Sequence, residues 1–283
     1  MIEILNSTAM APFTASVVFI FGMLLGSFLN VCIYRIPLKK SIVFPPSSCT
    51  KCGHLIKWYE NIPVLSWLFL RGRCSGCKEK ISMIYPVIEL LNGLLYLFAF
   101  LRFGVSIQLI FVFYFISAMI VTAMIDFKTQ FVYPAVVLPL VVTGLAGAYF
   151  SNEMTIYQSF FGILAGAGIL LISIAIFYLV TRKIGMGLGD VYILGAIGAY
   201  SGPWKIPLIL LFASCAGTVF FLTAKILFKK KRIAENVTMS DLNTTNEKDL
   251  ENAIYFGPFL ALAGVAVVLA PSEILNIIFP TLF

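Results

Sequence analysis

The sequence predicts an all-α integral membrane protein of about eight transmembrane helices, with a small cytoplasmic domain organised by four cysteines. Of its 283 residues 60% are hydrophobic and only 12% are charged, and the mean hydropathy is +0.98. A chain folded in water could not cover that much apolar surface, so lipid must be the solvent along most of its length. The apolar stretches also reach the roughly 20 residues that a spanning helix needs.

These stretches place the predicted spans at 12–34, 86–101, 106–125, 131–150, 157–181, 190–203, 204–228 and 254–280. Gly202, Pro203 and Pro207 interrupt the sixth span, which predicts a short or re-entrant segment there. Such breaks are tolerated at membrane depth only inside protein or against a water-filled cavity. The polar segments 35–85 and 229–253 are the two long loops between spans, and we expect the second to be mobile because it is polar and lacks aromatic residues.

The basic residues predict the orientation of the chain. With the N-terminus outside the cytoplasm, every lysine and arginine except Arg102 and Lys205 falls in an inner segment, as the positive-inside rule requires. Both termini then lie outside the cytoplasm, and the loops 35–85 and 229–253 lie inside it. The net charge of +7 is explained by topology, so we expect the lipid bilayer and no nucleic acid as a partner.

The first cytoplasmic loop carries two Cys-x-x-Cys pairs, separated by residues 53–73. Paired hairpins of this kind suit tetrahedral zinc, because each turn directs two sulfurs to one point. Two disulfides are the alternative, but the predicted cytoplasmic location is reducing and disfavours them. Four thiolates leave no open coordination position, so a structural zinc ion is expected. Cys32 and Cys215, within spans, are expected to be small buried side chains. The predicted ligands are Cys49, Cys52, Cys74 and Cys77.

Acidic residues are rare in or beside the spans. Asp126 ends the third, Asp190 opens the sixth, and Glu89 lies about one turn into the second, so all three are expected near the cytoplasmic membrane boundary. A carboxylate at that depth is costly and marks a functional site, although a solvated position at a helix end is the simpler alternative. Two neighbouring aspartates can share one proton and act as acid and base on a water.

A glycine-rich stretch precedes Asp190. Gly185, Gly187 and Gly189 give it a flexible backbone that an extended substrate can approach closely. A dinucleotide-binding loop is excluded, because its spacing requires glycine at position 190 and no strand pattern comes before it.

Several motifs together resemble those of the type IV prepilin leader peptidases, the bifunctional prepilin peptidase/N-methyltransferases of bacteria. The resemblance runs through nearly the whole chain in the family's order. The motifs are GSFLNVCIYRIP (26–37), both Cys-x-x-Cys pairs, ENIPVLSWLFLRGRC (60–74), ISMIYPVIELLNG (81–93), MGLGD (186–190) and YFGPFLALAG (255–264).

The resemblance implies an aspartic endopeptidase of the bacterial cytoplasmic (inner) membrane, with Asp126 and Asp190 as its catalytic pair. It implies removal of the leader of type IV prepilins and pseudopilins, then methylation of the new N-terminal amine with S-adenosylmethionine. It divides the chain into a first helix (1–34), a cysteine domain associated with methylation (35–85) and a membrane peptidase domain (86–283). Two residues after Asp190, where the family usually has lysine, this chain has Tyr192. The substitution removes a positive charge from the rim of the site.

The cofactor site has no glycine-rich signature, so methylation depends on the resemblance alone. Glu60, Asn61, Arg71 and Arg73 are the candidates to bind S-adenosylmethionine, or they brace the loop. Two alternatives therefore remain at the level of sequence. One is a peptidase without methyltransferase activity. The other is a membrane transporter that uses the two aspartates as ion relays, although the chain has no internal repeat and a carrier does not need the cysteine loop.

Overall fold

The structure is a computed structural model that describes residues 11–151, 153–182, 187–234 and 256–271. Within these ranges every named element is a helix. In chain order they are α1 (Ala11–Arg35), a 3-10 helix (Trp58–Asn61), α2 (Leu65–Phe69), α3 (Ile84–Phe103), α4 (Ile107–Thr129), α5 (Pro134–Tyr149), α6 (Ile156–Thr181), α7 (Leu188–Ser201), α8 (Ile206–Ala234) and α9 (Gly257–Leu269).

The prediction of a helical membrane protein is confirmed. In the described part of the chain, five helices are long and apolar enough to cross a bilayer: Pro12–Arg35, Ile84–Phe103, Ile107–Thr129, Ile156–Thr181 and Ile206–Thr223. Helices α5 and α9 are apolar but shorter, and α7 has 14 residues. All three coincide with predicted spans, but the number of crossings stays a prediction. The polar segment beyond residue 234 and both chain termini lie outside the described residues.

Helix α7 forms the centre of the bundle. Its residues from Ile193 to Ala199 are all buried, and α5, α6, α8 and α9 surround it. Glycines let α6 approach it closely, because a Cβ on Gly162 would collide with the backbone of Gly198. Such small-residue contacts are typical of helix packing in membranes. The helix ends where Gly202 takes a positive φ of 75°, at the interruption that the sequence indicates.

Helices α1 and α3 form a second tight pair. A Cβ on Gly26 would collide with the backbone of Glu89, and one on Gly22 with that of Gly93. Between them, the Asn92 side chain donates a hydrogen bond to the carbonyl of Gly22 (2.7 Å). This pairing fixes the helix that carries Glu89 against the helix that leads into the cysteine loop.

One sequence expectation about the cysteines is wrong. Cys32 is buried in α1 as predicted, but Cys215 is exposed. The reason is the narrow packed stripe of α8, which buries Ala213 and Gly217. These two residues are one turn apart, and Cys215 lies between them on a different face.

Candidate functional site

Asp126 lies near the end of α4 and is 7% exposed. The backbone N–H of Gly257, the first residue of α9, donates a hydrogen bond to its carboxylate. The contact is close: a Cβ on Gly257 would collide with the Oδ2 atom of Asp126. Glycine at the start of α9 therefore gives this carboxylate a backbone donor that any larger residue would push away.

Asp190 lies in the first turn of α7 and is partly buried. It is close enough to Asp126 for the two charges to interact. Gly189 makes that approach possible, because a Cβ there would collide with the side chain of Val132. Val132 belongs to the connection that follows α4, so this glycine contact draws the start of α7 towards the end of α4.

The end of α4 and the starts of α7 and α9 thus meet at one place. Two helix N-termini, each with a partial positive charge, face the pair of carboxylates. The structure brings together the two aspartates that the sequence singles out, while their catalytic role stays a prediction. Gly187 is the N-cap of α7, and Gly185 lies outside the described residues.

Two residues of this site were not predicted from the sequence. Gly257 belongs to a quoted motif, whose Gly-Pro pair at a helix start is the signal that could have identified it. Thr122 lies one turn before Asp126 on the same face of α4 and is 3% exposed. Its hydroxyl has no hydrogen-bond partner among the described residues, and no pattern in the sequence marks it.

The four cysteines of the loop converge. Their sulfur atoms all lie within 4.8 Å of one another, with 3.9 Å between Cys49 and Cys77 and 4.0 Å between Cys52 and Cys74. Sulfurs about 2.3 Å from a central zinc ion in tetrahedral geometry lie about 3.8 Å apart, whereas a disulfide requires about 2.0 Å. The arrangement therefore fits a tetrahedral metal site and not disulfides.

The two Cys-x-x-Cys segments adopt the same hairpin. The backbone N–H of Cys49 donates a hydrogen bond to the carbonyl of His54, and the backbone N–H of Cys74 donates one to the carbonyl of Glu79, both at 2.9 Å. Each hairpin turns through one residue with a positive φ, Gly53 at 72° and Lys78 at 59°. The repetition explains how two distant pairs present their sulfurs in the same way.

A cavity of about 870 Å³ lies between the cysteine loop, the C-terminal end of α1 and the N-terminal end of α3. Glu60 and Asn61 line it, as the cofactor prediction requires, but Arg71 and Arg73 do not. Asn61 also connects the loop to helix α1 at the cavity, because its Oδ1 atom accepts a hydrogen bond from the hydroxyl of Ser27 (3.4 Å).

Glu60 links the separate turns of the loop. Its Oε2 atom accepts from the backbone N–H of Lys57 (2.9 Å) and lies 3.2 Å from Nε2 of His54, which contacts Ser75 of the second hairpin (3.0 Å). The Lys57 N–H, Ser75 and His54 together lower the pKa of Glu60 to about 2. Glu60 is therefore a fixed anion at neutral pH.

The hydroxyl of Tyr133 donates a hydrogen bond to the carbonyl of Pro37 (3.4 Å). Tyr133 immediately precedes α5, and Pro37 follows α1. The segment after Asp126 is thereby tied to the start of the cysteine loop. Tyr192, two residues after Asp190, is 37% exposed.

Two family models match the chain. The bacterial peptidase A24 N-terminal domain matches residues 20–103, and the type IV leader peptidase family matches residues 113–222. No solved structure matches the chain.

Curated relatives resemble the chain over most of its length. A prepilin leader peptidase/N-methyltransferase of Pseudomonas putida is 34% identical, with 90% of each chain covered. The protein of the same name from Dichelobacter nodosus is 31% identical, with 87% of each covered. That from Myxococcus xanthus is 39% identical over 74% of this chain and 62% of the relative. The chain belongs to the type IV leader peptidase family.

Proposed function

We propose that this protein is an endopeptidase of the inner membrane that removes the leader of type IV prepilins and pseudopilins, and that it then methylates the new N-terminal residue. Its curated relatives carry both activities in their names. Those names do not favour a peptidase without methyltransferase activity or a transporter. The observation that carries the proposal is the meeting of Asp126 and Asp190, two interacting carboxylates at the ends of different helices.

The carboxylate pair acts on a water molecule. Two interacting carboxyl groups can share one proton, because the charge on one disfavours ionisation of the other. The ionised group takes a proton from the water, whose oxygen attacks the scissile carbonyl carbon, while the protonated group donates to the carbonyl oxygen. When the tetrahedral intermediate collapses, the C–N bond breaks and the leaving amine takes up the proton that the carboxyl group had removed from the water. The pair titrates as a unit, with no separate assignment to either residue.

The position of the pair suits the substrate. A prepilin has a cytoplasmic leader and an apolar helix in the bilayer, so its scissile bond lies at the membrane boundary. With the predicted topology, the end of α4 and the start of α7 lie at the cytoplasmic boundary. The open starts of α7 and α9 supply backbone N–H groups for an extended segment of substrate.

The four cysteines hold a structural zinc ion in this proposal. Their sulfur separations support tetrahedral coordination, and the completed shell leaves no position for substrate. The ion acts by fixing the loop, since residues 36–83 bury only Pro63, Gly72 and Cys74 and have no apolar core of their own.

The cavity between the loop and helices α1 and α3 is the proposed site for S-adenosylmethionine, which supplies a methyl group activated on a sulfonium centre. The volume of about 870 Å³ lies within the roughly 300–1,000 Å³ of small-molecule sites. Glu60 is a permanent anion and Asn61 offers both donor and acceptor groups, which fits a ligand with an ammonium group and ribose hydroxyls. Arg71 and Arg73 then brace the loop.

The test uses purified enzyme in liposomes with a prepilin substrate and S-adenosylmethionine. Cleavage appears as a leader-sized shift on a gel, and methylation as an added methyl mass on the mature N-terminus. Asp126→Asn or Asp190→Asn should prevent cleavage, whereas Asp241→Asn makes the same chemical change in the polar 229–253 segment and should not. Cleavage that persists in both active-site variants would exclude the aspartate pair from the mechanism.

A further inference from the structure

Glu89 is a buried carboxylate without a cation. It lies on α3, is 8% exposed and lines the membrane-side wall of the cavity. Among the described residues, no lysine, arginine or histidine nitrogen lies within 4.0 Å of the Glu89 carboxylate oxygens, the limit for an ion pair. A buried charge normally has a partner of opposite sign, because its removal from water is costly. The site is therefore suited to a positively charged ligand.

The surrounding structure holds this carboxylate firmly. Its Oε2 atom accepts a hydrogen bond from the backbone N–H of Val64 (2.7 Å), and Ser27 of α1 also contacts it. The close approach of Gly26 fixes the helix behind it. A carboxylate has about four acceptor positions, so these contacts leave capacity for a further donor in the cavity.

The backbone at Val64 is strained, with φ 61° and ψ −49°. A positive φ is rare for any residue with a side chain and is an outlier for a β-branched one. Strained backbone of this kind clusters at ligand-binding and active sites. Here the strained turn directs its N–H at Glu89, which positions the carboxylate at the cavity.

We propose that Glu89 binds the α-amino group that leader cleavage exposes and removes the proton that prevents its methylation. This inference depends on the proposed methyltransferase function. The N-terminal ammonium group gives one proton to Glu89, and the nitrogen lone pair then bonds to the methyl carbon. The methyl–sulfur bond breaks with its electron pair on sulfur, and the neutral nitrogen becomes a positively charged methylammonium group. Glu89 later releases its proton to water.

The ammonium group of the cofactor is the other cation that could pair with Glu89. The positions of the two carboxylates in the cavity favour the pilin amine. Glu89 belongs to a helix of the membrane bundle, where the apolar segment of a pilin arrives, whereas Glu60 belongs to the loop. The two carboxylates thus separate the acceptor end of the cavity from the cofactor end.

Glu89→Gln is the variant that tests the proposal, because its amide oxygen can still accept from Val64 while the charge is lost. Glu153→Gln is the matched control, because it makes the same change at a carboxylate that pairs with Arg102 and does not line the cavity; it should leave peptide binding unchanged. The first measurement is the equilibrium binding of a synthetic peptide with the mature pilin N-terminus, compared with its N-acetylated form. Glu89→Gln should weaken binding of the free-amine peptide to the level of the acetylated peptide.

The second measurement is methyl transfer to the precleaved peptide. A general base contributes about 10²–10⁴-fold, so the rate should fall by at least about a hundredfold in Glu89→Gln. Leader cleavage and equilibrium binding of S-adenosylmethionine should both match the wild type, which also shows that the variant is folded.

Unchanged binding of the free-amine peptide in Glu89→Gln would overturn the proposal. So would weakened binding of S-adenosylmethionine with peptide binding intact, because Glu89 would then serve the cofactor. A failure of the broader methyltransferase proposal gives a different result: the wild-type enzyme would transfer no methyl group to any peptide. Binding of the free amine that depends on Glu89 would still identify the amine site in that case.

Discussion

The helix bundle around Asp126 and the cysteine loop at residues 36–83 hold their functional side chains by different means. In the bundle, α7 is buried on all sides along most of its length, and glycine contacts set the helix spacing. In the loop only Pro63, Gly72 and Cys74 are buried. The bundle therefore positions its carboxylates by packing, whereas the loop depends on four sulfurs and the hydrogen bonds of two hairpins.

This difference implies that the two activities can be lost separately. A change that removes the proposed zinc ion from the loop should leave the packing of α4, α7 and α9 in place. A change at the aspartates leaves the cavity wall intact. The described link between the segment after Asp126 and the loop is the hydrogen bond from Tyr133 to Pro37, which is too weak alone to couple the folding of the two regions.

The largest expected effect is at the carboxylate pair. Asp126→Asn or Asp190→Asn should reduce leader cleavage by at least about a thousandfold. Each variant leaves one carboxyl group beside an amide, so the pair can no longer supply both an acid and a base. Methyl transfer to a precleaved pilin peptide should remain at the wild-type rate. Quantifying both products by mass spectrometry checks the separation, and a parallel loss of methyl transfer would contradict it.

Removal of the metal should have the opposite selectivity. Cys74→Ser, or treatment with a strong chelator, should release one zinc ion per chain and bring methyl transfer close to background, because ligation replaces a core in this loop. Leader cleavage of the same samples should continue. Elemental analysis gives the metal content, and limited proteolysis reports the folding of residues 36–83.

Cys215→Ser provides the control for this loss. It makes the same atomic change at an exposed cysteine on α8, remote in sequence from the loop, and should retain the zinc ion and both activities. Cleavage that stops when the metal leaves would mean that the loop supports the peptidase site directly, and the separation of the two regions would be wrong.

The sequence predicts where the two regions lie but not the contacts that form when distant segments pack. Hydropathy alone located the bundle, and the spacing of Cys49, Cys52, Cys74 and Cys77 located the loop, because both patterns are local. Asp126 and Asp190 stood out because charges are rare in lipid-facing sequence. The contact of Gly257 with Asp126, the cavity and the position of Glu89 in it arise when distant segments pack, and no local pattern encodes them.

Gly257→Ala tests whether packing positions the carboxylate. The added Cβ would collide with Oδ2 of Asp126, so the carboxylate must move and the backbone donor is displaced. A misplacement of about 1 Å can cost roughly a hundredfold in rate, and we expect cleavage to fall by about ten- to a hundredfold in kcat with methyl transfer unchanged. Steady-state kinetics on a prepilin substrate gives the change.

Gly168→Ala is the matched control within the bundle. A Cβ there has no neighbour within 4 Å among the described residues, so it should slightly favour the helix, by about 0.5–1 kcal/mol, and leave kcat unaffected. Equal losses of kcat in Gly257→Ala and Gly168→Ala would show that the bundle tolerates no added side chain at either position. The specific contact with Asp126 would then lose its support.

The smallest expected effect concerns the two hairpins of the loop. Gly53 and Lys78 occupy equivalent turns with φ 72° and 59°, but only glycine adopts that conformation without strain. Lys78→Gly should stabilise the loop and Gly53→Ala should destabilise it, each by about 1 kcal/mol. A Cβ on Gly53 meets no atom within 4 Å among the described residues, so that variant isolates the backbone effect.

Zinc release to a chelator should slow by up to about fivefold in Lys78→Gly and accelerate by a similar factor in Gly53→Ala. Because the loop has almost no core, this small backbone term should be measurable there, and equal release rates in both variants and the wild type would mean that the four thiolates alone determine its stability.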